Sequence, residues 1–396
     1  MAGYVMTIGG DEFLSRFYRT KKNGKAYKGN IASSNKEGQR LAKEYALKQC
    51  IATGTYSAKT SEKGPAFIGT LADYLGMKPG DDIFFFTERK IYGIGKLVNI
   101  GDDCRYRVHS KDDNEDLVEM VNPENHQFIC TFEPSPYFFK EGVDTDEILM
   151  FSPEKIKALR FFSAMSFVKL DDTESQEVKN MIARKNEQFL NGQEDKIFSF
   201  DTSVHEAILK KTLGNNKYRL SVFDYIKDAE SKVSSEYYIE GAVMDLLRKI
   251  DFEYIGGHWD CICRQYPASP AKPSEYKETM DLFGYRYIKG FSGAISKYLI
   301  IELKTGTIKK EHVEQTMKYV DWVSKVYTCG DYSMIEAYTI GFDKVDNIED
   351  QVKSLIERNY ILEGHPVKSC QWSDLRIISY RELLQKLLKI ESDELI

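Results

Sequence analysis

The apolar and polar positions of this chain change spacing most clearly in its second half. Asp281-Leu-Phe-Gly-Tyr-Arg-Tyr-Ile288 reads as a strand. Lys289–Ala294 holds two glycines and can turn the chain. Tyr298-Leu-Ile-Ile301 is an unbroken apolar run of the kind that crosses a core, and it ends in Glu302-Leu-Lys304. Glu311–Val323 reads as a helix, Ser333–Gly341 as a core strand, Ile348–Asn359 as a helix, Leu375–Tyr380 as a strand and Arg381–Ile390 as a terminal helix. Strands and helices alternating after a hairpin predict a mixed β-sheet flanked by helices.

The first half has its own organisation. Phe67–Gly76 predicts a short helix with a glycine stop, and Met77–Asp81 a turn containing Pro79 and Gly80. Asp82–Phe86 and Ile91–Val98 predict two strands around Thr87-Glu-Arg-Lys90. Phe161–Leu170 predicts a closing strand before a helix at Asp172–Lys185, and Asn186–Asp195 is polar enough for a linker. The expected class is α/β (α+β) with two domains, 1–190 and 191–396. Length and a 42% apolar content allow each its own core.

The alternation along a strand puts Glu302 and Lys304 on one face while Leu303 points into the core. Asp281, on a strand joined by a hairpin, can reach the same spot. Two carboxylates and an ammonium converging there would hold a hard divalent cation with a positive charge beside it, which suits phosphodiester hydrolysis. A solvated strand edge is the plainer alternative for such a triplet.

In this order of elements residues 235–345 resemble the PD-(D/E)xK nuclease superfamily, in particular its restriction-endonuclease and RecB-like branches. The family order is an acidic helix, here Ser235–Leu247 with Glu240; a strand with Asp, here Asp281; a strand with Glu-x-Lys, here Glu302 and Lys304; and a helix with Gln-x-x-x-Tyr, here Gln315 and Tyr319. Met280 stands where the family has Pro, and Asp260 is a second candidate for the Asp, with the poorer local context. The resemblance implies that Asp281, Glu302 and the Leu303 backbone carbonyl coordinate Mg²⁺ or Mn²⁺, with Glu240 adding a ligand directly or through water. Lys304 would orient the attacking water or stabilise the transition state, and Gln315 and Tyr319 would steady the site or touch the nucleic-acid backbone. Glu236 and Asp245 compete with Glu240, and Tyr319 also fits an ordinary core position.

The helix, Pro-Gly-Asp turn and Gly93-Ile-Gly95 strand over about 60–170 resemble, more faintly, PUA-like β-barrels of the EVE and YTH type, which implies recognition of a specific sequence or modified base. All three tryptophans lie later, at 259, 322 and 372, so a base pocket there would rest on residues such as Tyr56, Tyr92 or Phe132. Each is also a candidate for barrel core.

The net charge of −6 argues weakly against a nucleic-acid partner, but it hides an uneven distribution. Residues 1–60 carry roughly +7, with Arg16, Arg19, Lys21, Lys22, Lys25 and Lys28 interleaved with Phe17, Tyr18 and Tyr27, while residues 101–150 carry roughly −9. The basic segment reads either as a soluble arm or as a backbone-tracking one. Seven scattered cysteines fit a reducing cytoplasm better than a disulfide framework, and Cys261-Ile-Cys263 has the wrong gap for a zinc knuckle. The first residues do not have the pattern of an export signal, no apolar run approaches membrane-spanning length, and no phosphate-loop motif marks an ATP motor.

The expectation is a cytoplasmic, Mg²⁺-dependent, restriction-type endonuclease acting on duplex DNA, modified or not, as a homodimer where both strands are cut. An RNA or single-strand nuclease, a non-catalytic nucleic-acid reader and a small-molecule sensor in the first half remain the alternatives.

Overall fold

Apolar runs become strands, and contacts among them divide the chain into two units, 1–70 with 77–220 and 71–76 with 221–396. The computed structural model describes residues 2–8, 46–48, 50–58, 65–108, 117, 127–135, 141–161, 167–192, 200–222, 233–249, 251–270 and 277–386. The basic segment with Arg16 to Lys28 lies outside the described residues.

In the first unit eight described strands form one sheet. They are β1 (Gly3–Thr7), β2 (Thr55–Tyr56), β3 (Asp82–Thr87), β4 (Lys90–Leu97), β5 (Arg105–Arg107), β6 (Phe128–Pro134), β7 (Val143–Asp144) and β8 (Phe167–Leu170). Their order is β2-β6-β4-β3-β1-β8, with β5 on β6 and β7 on β4. Ile83, Phe84 and Phe85 of β3 are fully buried, as a central strand requires. The two ends of the strand order meet. The Tyr56 ring of β2 packs edge-on against Phe167 of β8, and its hydroxyl donates to the Thr7 carbonyl of β1 at 2.7 Å. The sheet therefore curls.

Helices α1 (Pro65–Leu75) and α3 (Asp172–Lys185) follow their sequence signals, and a further short helix, α2 (Thr145–Phe151), starts at Asp144, whose side chain accepts the Asp146 N–H. In α3 the Asp171 carboxylate accepts the Glu174 N–H and the Glu174 carboxylate reaches back to the Asp171 N–H, a reciprocal cap. The stretch from Asn186 differs from the expected linker. Asn186 is fully buried, and its amide exchanges hydrogen bonds with the Glu141 N–H and carbonyl. The chain then continues as helix α4 (Glu187–Gly192). Residues 200–220 also stay with the first unit. Ile208 of α5 (Ser203–Thr212) and Tyr218 join Tyr106, Val108, Leu117 and Ile129 in one apolar cluster. The contact divide thus falls after Leu220 rather than at 190/191.

The second unit is a five-stranded mixed sheet ordered β15-β12-β11-β10-β9. β9 (Cys261–Pro267), β10 (Thr279–Ile288) and β11 (Phe291–Ile308) run antiparallel, while β12 (Ile335–Lys344) and β15 (Leu375–Ser379) add on in parallel. The parallel pairings need crossovers, supplied by helices α7 (Lys310–Val326) and α8 (Ile348–Ile356). α6 (Glu236–Lys249) precedes the sheet. Val313, Met317, Val320 and Val323 form the buried stripe of α7, and the Thr316 and Thr339 hydroxyls meet at 2.8 Å between α7 and β12.

The expected six-residue turn after Ile288 contracts to Lys289-Gly290, where Gly290 adopts φ +86°. β11 therefore reaches 18 residues, exposed at its start and buried from Tyr298 to Leu303. A second hairpin, β13 (Arg358–Gly364) with β14 (Val367–Trp372), was not expected. It is exposed at most positions, so it carries no alternating apolar signal. Among the described residues no helix is long and apolar enough to cross a membrane, and all seven cysteines are free.

Candidate functional site

The site grows from one register. β10 and β11 pair Leu282 with Ile301, so the next residues outward, Asp281 and Glu302, stand opposite each other on one face. Glu302 is only 2% exposed. One of its oxygens accepts from Lys304 Nζ at 2.5 Å; the other, Oε2, is buried and has no hydrogen-bond partner. A buried carboxylate oxygen left unsatisfied is costly. Asp281 Oδ2 accepts the Leu303 N–H at 2.7 Å and its Oδ1 accepts from Gln265 Nε2 at 3.1 Å.

The electrostatics follow from this packing. Burial, and then the charge of Asp281, push the Glu302 carboxyl up to about 8. Burial also raises Asp281, against the Leu303 N–H and Lys304, which lower it. Burial works against the Lys304 charge, but Glu302 and Asp281 outweigh it and hold the ammonium above its usual range. Glu236, in the first turn of α6, adds to the negative field felt by Asp281, Glu302 and Lys304.

Glu240 lies one amide away. It is fully buried and spends its oxygens on Arg264 Nε, at 2.8 Å, and on Gln265 Nε2. Burial pushes its carboxyl up to about 7, with Arg264 pulling it down and Asp281 pushing it further up. Arg264 in turn reaches Asp73, in the 71–76 segment that clusters with this unit. The acidic helix thus adds the charge of Glu236 to the field of the site and holds Glu240 behind Gln265.

Gln315 and Tyr319 share one face of α7, and the Gln315 amide donates to the Tyr319 hydroxyl at 2.9 Å. Burial raises the Tyr319 phenol, and Glu302 and Asp281 raise it further, which puts this ring within their field. Asp260 belongs elsewhere. Its carboxylate accepts the Tyr287 N–H at 2.7 Å, and Asp281 lies six residues away along the partner strand, roughly 20 Å at strand rise. Hydrogen bonds join Asp281, Glu302, Lys304, the Leu303 backbone and, through Gln265, Glu240; Gln315 and Tyr319 bond to each other on α7, and Tyr319 feels the charges of Glu302 and Asp281.

Gln265 is the residue that sequence reasoning missed. It contacts both Glu240 and Asp281, and its backbone φ of +49° has no signature in a glutamine codeword flanked by Arg264 and Tyr266.

Among the described residues no group of three His, Cys, Asp or Glu side chains is placed to hold a metal ion. Two carboxylates with one unspent buried oxygen still fit a cation of the Mg²⁺ kind, which commonly keeps several waters and takes only one or two protein carboxylates. They do not fit a closed all-protein cage.

In the first unit, Tyr56 and Phe132 are core residues, each packed on Phe85. Tyr92 is half-buried, and its ring covers Gly142 so closely that a Cβ there would lie 2.4 Å from it.

No protein-family model matches the chain, and no curated protein matches it. Among solved structures it is similar to human THYN1 protein, crystallised in complex with 5-methylcytosine containing DNA, at 13% identity and a TM-score of 0.25, over 46% of this chain and 96% of that chain. A likeness of that size decides nothing about fold or function.

Proposed function

We propose that the second unit is a divalent-metal-dependent nuclease of the PD-(D/E)xK kind, and that the chain is a restriction-type endonuclease whose first unit, a PUA-like barrel, chooses the DNA. One observation carries this reading: the unpartnered, buried Glu302 oxygen opposite Asp281, with an ammonium at 2.5 Å on the other oxygen. A protein retains an unsatisfied buried carboxylate where something else completes it. The curl of the first sheet supports the barrel, and half-buried Tyr92 is a better candidate for stacking on a base than Tyr56 or Phe132, which fill the core.

Asp281 and Glu302 would hold Mg²⁺ or Mn²⁺, with the Leu303 carbonyl beside them. The ion supplies a more acidic bound water and neutralises charge growing on the phosphate. The Leu303 N–H fixes Asp281 so that its carboxylate cannot swing away. Lys304 carries a positive charge at the rim, where it can pair with a phosphate oxygen once Glu302 turns to the cation. In hydrolysis the water oxygen bonds to phosphorus and gives up a proton to solvent, the phosphorus–oxygen bond to the leaving strand breaks, and that oxygen takes a proton from solvent. Gln315 and Tyr319, bonded to each other on α7, would steady the site or touch the nucleic-acid backbone. A double-strand break then requires a homodimer or two successive nicks.

The pairing of Glu240 with Arg264 and Gln265 supports, as a second reading, a nucleic-acid reader without catalysis. Incubation with unmodified duplex DNA, modified duplex DNA, single-stranded DNA and RNA, each with Mg²⁺ or Mn²⁺, separates the two. Discrete fragments from duplex DNA that are missing with Lys304→Ala are expected. Cleavage of RNA alone moves the substrate class, and no cleavage of any polymer by folded, metal-supplied protein leaves the reader.

A further inference from the structure

Gln265 occupies the middle of β9 with φ +49°, a left-handed conformation that a glutamine adopts only at a cost in backbone energy. The strand does not lose its place around it: Arg264 still pairs with Leu282 and Tyr266 with Met280. The local twist turns one amide into the space between two buried acids. Nε2 donates both hydrogens, one to Glu240 Oε1 and one to Asp281 Oδ1, and Oε1 accepts the Thr279 hydroxyl at 3.0 Å. The orientation of the amide is therefore determined, since the flipped form would set its oxygen against two carboxylates. Strain of this kind persists where the surrounding contacts over-determine it, and here every one of those contacts leads to the site.

The consequence for Asp281 is specific. Gln265 holds one oxygen and the Leu303 N–H holds the other, so the carboxylate is fixed from two sides before any cation arrives. The consequence for Glu240 is the reverse. Its other partner is the buried Arg264 guanidinium, which already neutralises it, so a cation there would meet a positive charge.

We propose that Gln265 is a positioning residue that sets the Asp281 carboxylate for a divalent cation and withholds Glu240 from it, so that the site takes one cation. This rests on the metal-dependent reading above.

The test is a Mn²⁺ titration of the full chain followed by the electron paramagnetic resonance of the free ion, with melting temperatures measured in parallel. The informative variant is Gln265→Gly. Glycine relieves the strain at φ +49° while the amide's bonds to two buried acids are lost, so the variant is expected to fold with a melting temperature near the parent's, yet to bind Mn²⁺ about tenfold or more weakly, the usual scale for losing a group that orients a metal ligand. Thr279→Val, which releases the far side of the amide while keeping the shape, is expected to weaken binding in the same direction by less. The half-saturating Mg²⁺ concentration for DNA cleavage should rise in Gln265→Gly by a matching factor, with the KM for DNA unmoved.

Parent protein that binds one Mn²⁺ and a Gln265→Gly variant that binds it equally well would overturn the positioning role and leave the nuclease reading intact. Loss of affinity accompanied by a lowered melting temperature, and not reproduced by Thr279→Val, reduces Gln265 to a structural residue and overturns it too. Two Mn²⁺ ions on the parent contradict the exclusion of Glu240. A parent protein that takes up no Mn²⁺ brings down both readings together.

Discussion

Glu174 in the first unit and Glu302 in the second are both buried, and both carboxyls are pushed up to about 8, in each case by burial first and by a neighbouring aspartate next. Their oxygens differ. Those of Glu174 accept the N–H groups of Lys157, Ala158 and Asp171, so the side chain closes a helix cap and ties a loop to it. Glu302 has Lys304 on one oxygen and nothing on the other. Asp82 of the first unit repeats the satisfied pattern, with Lys96 on one oxygen and Ser175 and Lys179 on the other. Burial and a perturbed acidity therefore do not distinguish a structural carboxylate from one kept for a ligand. On the proposed reading, what sets Glu302 apart is its unspent oxygen.

The comparison breaks most decisively on activity. Glu302→Gln is expected to lower DNA cleavage by about 10²–10³-fold or more, the scale for losing an electrostatic group in a phosphoryl-transfer site. Glu174→Gln should leave the rate per folded molecule unchanged. Equal rates in Glu302→Gln and the parent, measured on duplex DNA in Mg²⁺, would remove the ground for assigning the site.

Stability should move the other way. Glu174→Ala strands three backbone N–H groups and a helix cap, and is expected to cost about 2–4 kcal/mol in urea or thermal unfolding. Glu302→Gln in metal-free protein removes a buried, half-satisfied charge, and is expected to melt no lower than the parent, with a gain of up to about 1 kcal/mol. Mn²⁺ at a hundred times its dissociation constant should stabilise the parent by about 2.7 kcal/mol and Glu174→Gln by the same amount. It should do nothing for Glu302→Gln, and a chelator should reverse it. Stabilisation that survives Glu302→Gln would place the ion elsewhere.

Much of this contrast was legible in the order of residues, and part of it could not be. The Asp281 strand, the apolar run into Glu302-Leu-Lys304 and the helix with Gln315 and Tyr319 appear where the pattern puts them, because each is long and buried on a defined face. Helix α3 appears with its Asp171 and Glu174 cap for the same local reason. Gln265 was illegible because its role depends on a backbone twist and on acids 16 and 25 positions away. The place of Asn186 was hidden because a polar residue in a polar stretch gives no sign of burial. The exposed β13–β14 hairpin has no core face to announce it, and Glu236 could not be told from Glu240, one turn away on the same helix face, without knowing that Arg264 and Gln265 pair with Glu240. Local periodicity is written along the chain; the partners of a buried polar group are not.

The smallest expected effect concerns two tyrosines that repeat the contrast without charge. Tyr56 donates its hydroxyl to the Thr7 carbonyl at 2.7 Å inside the first sheet, whereas the Tyr319 hydroxyl takes its hydrogen bond from Gln315, one turn away on α7. Tyr56→Phe removes the hydrogen bond to the Thr7 carbonyl and should cost about 1 kcal/mol of stability, with cleavage per folded molecule unchanged. Tyr319→Phe releases only a flexible amide on its own helix, so its cost in stability should be about 0.5 kcal/mol or less. The same change removes the hydroxyl that lies in the field of Glu302 and Asp281, and cleavage should fall about three- to tenfold, or roughly 1 kcal/mol in the barrier. A Tyr319→Phe variant that loses stability as Tyr56→Phe does but cleaves at the parent rate would confine the working site to Asp281, Glu302 and Lys304, and α7 would then serve it only as packing.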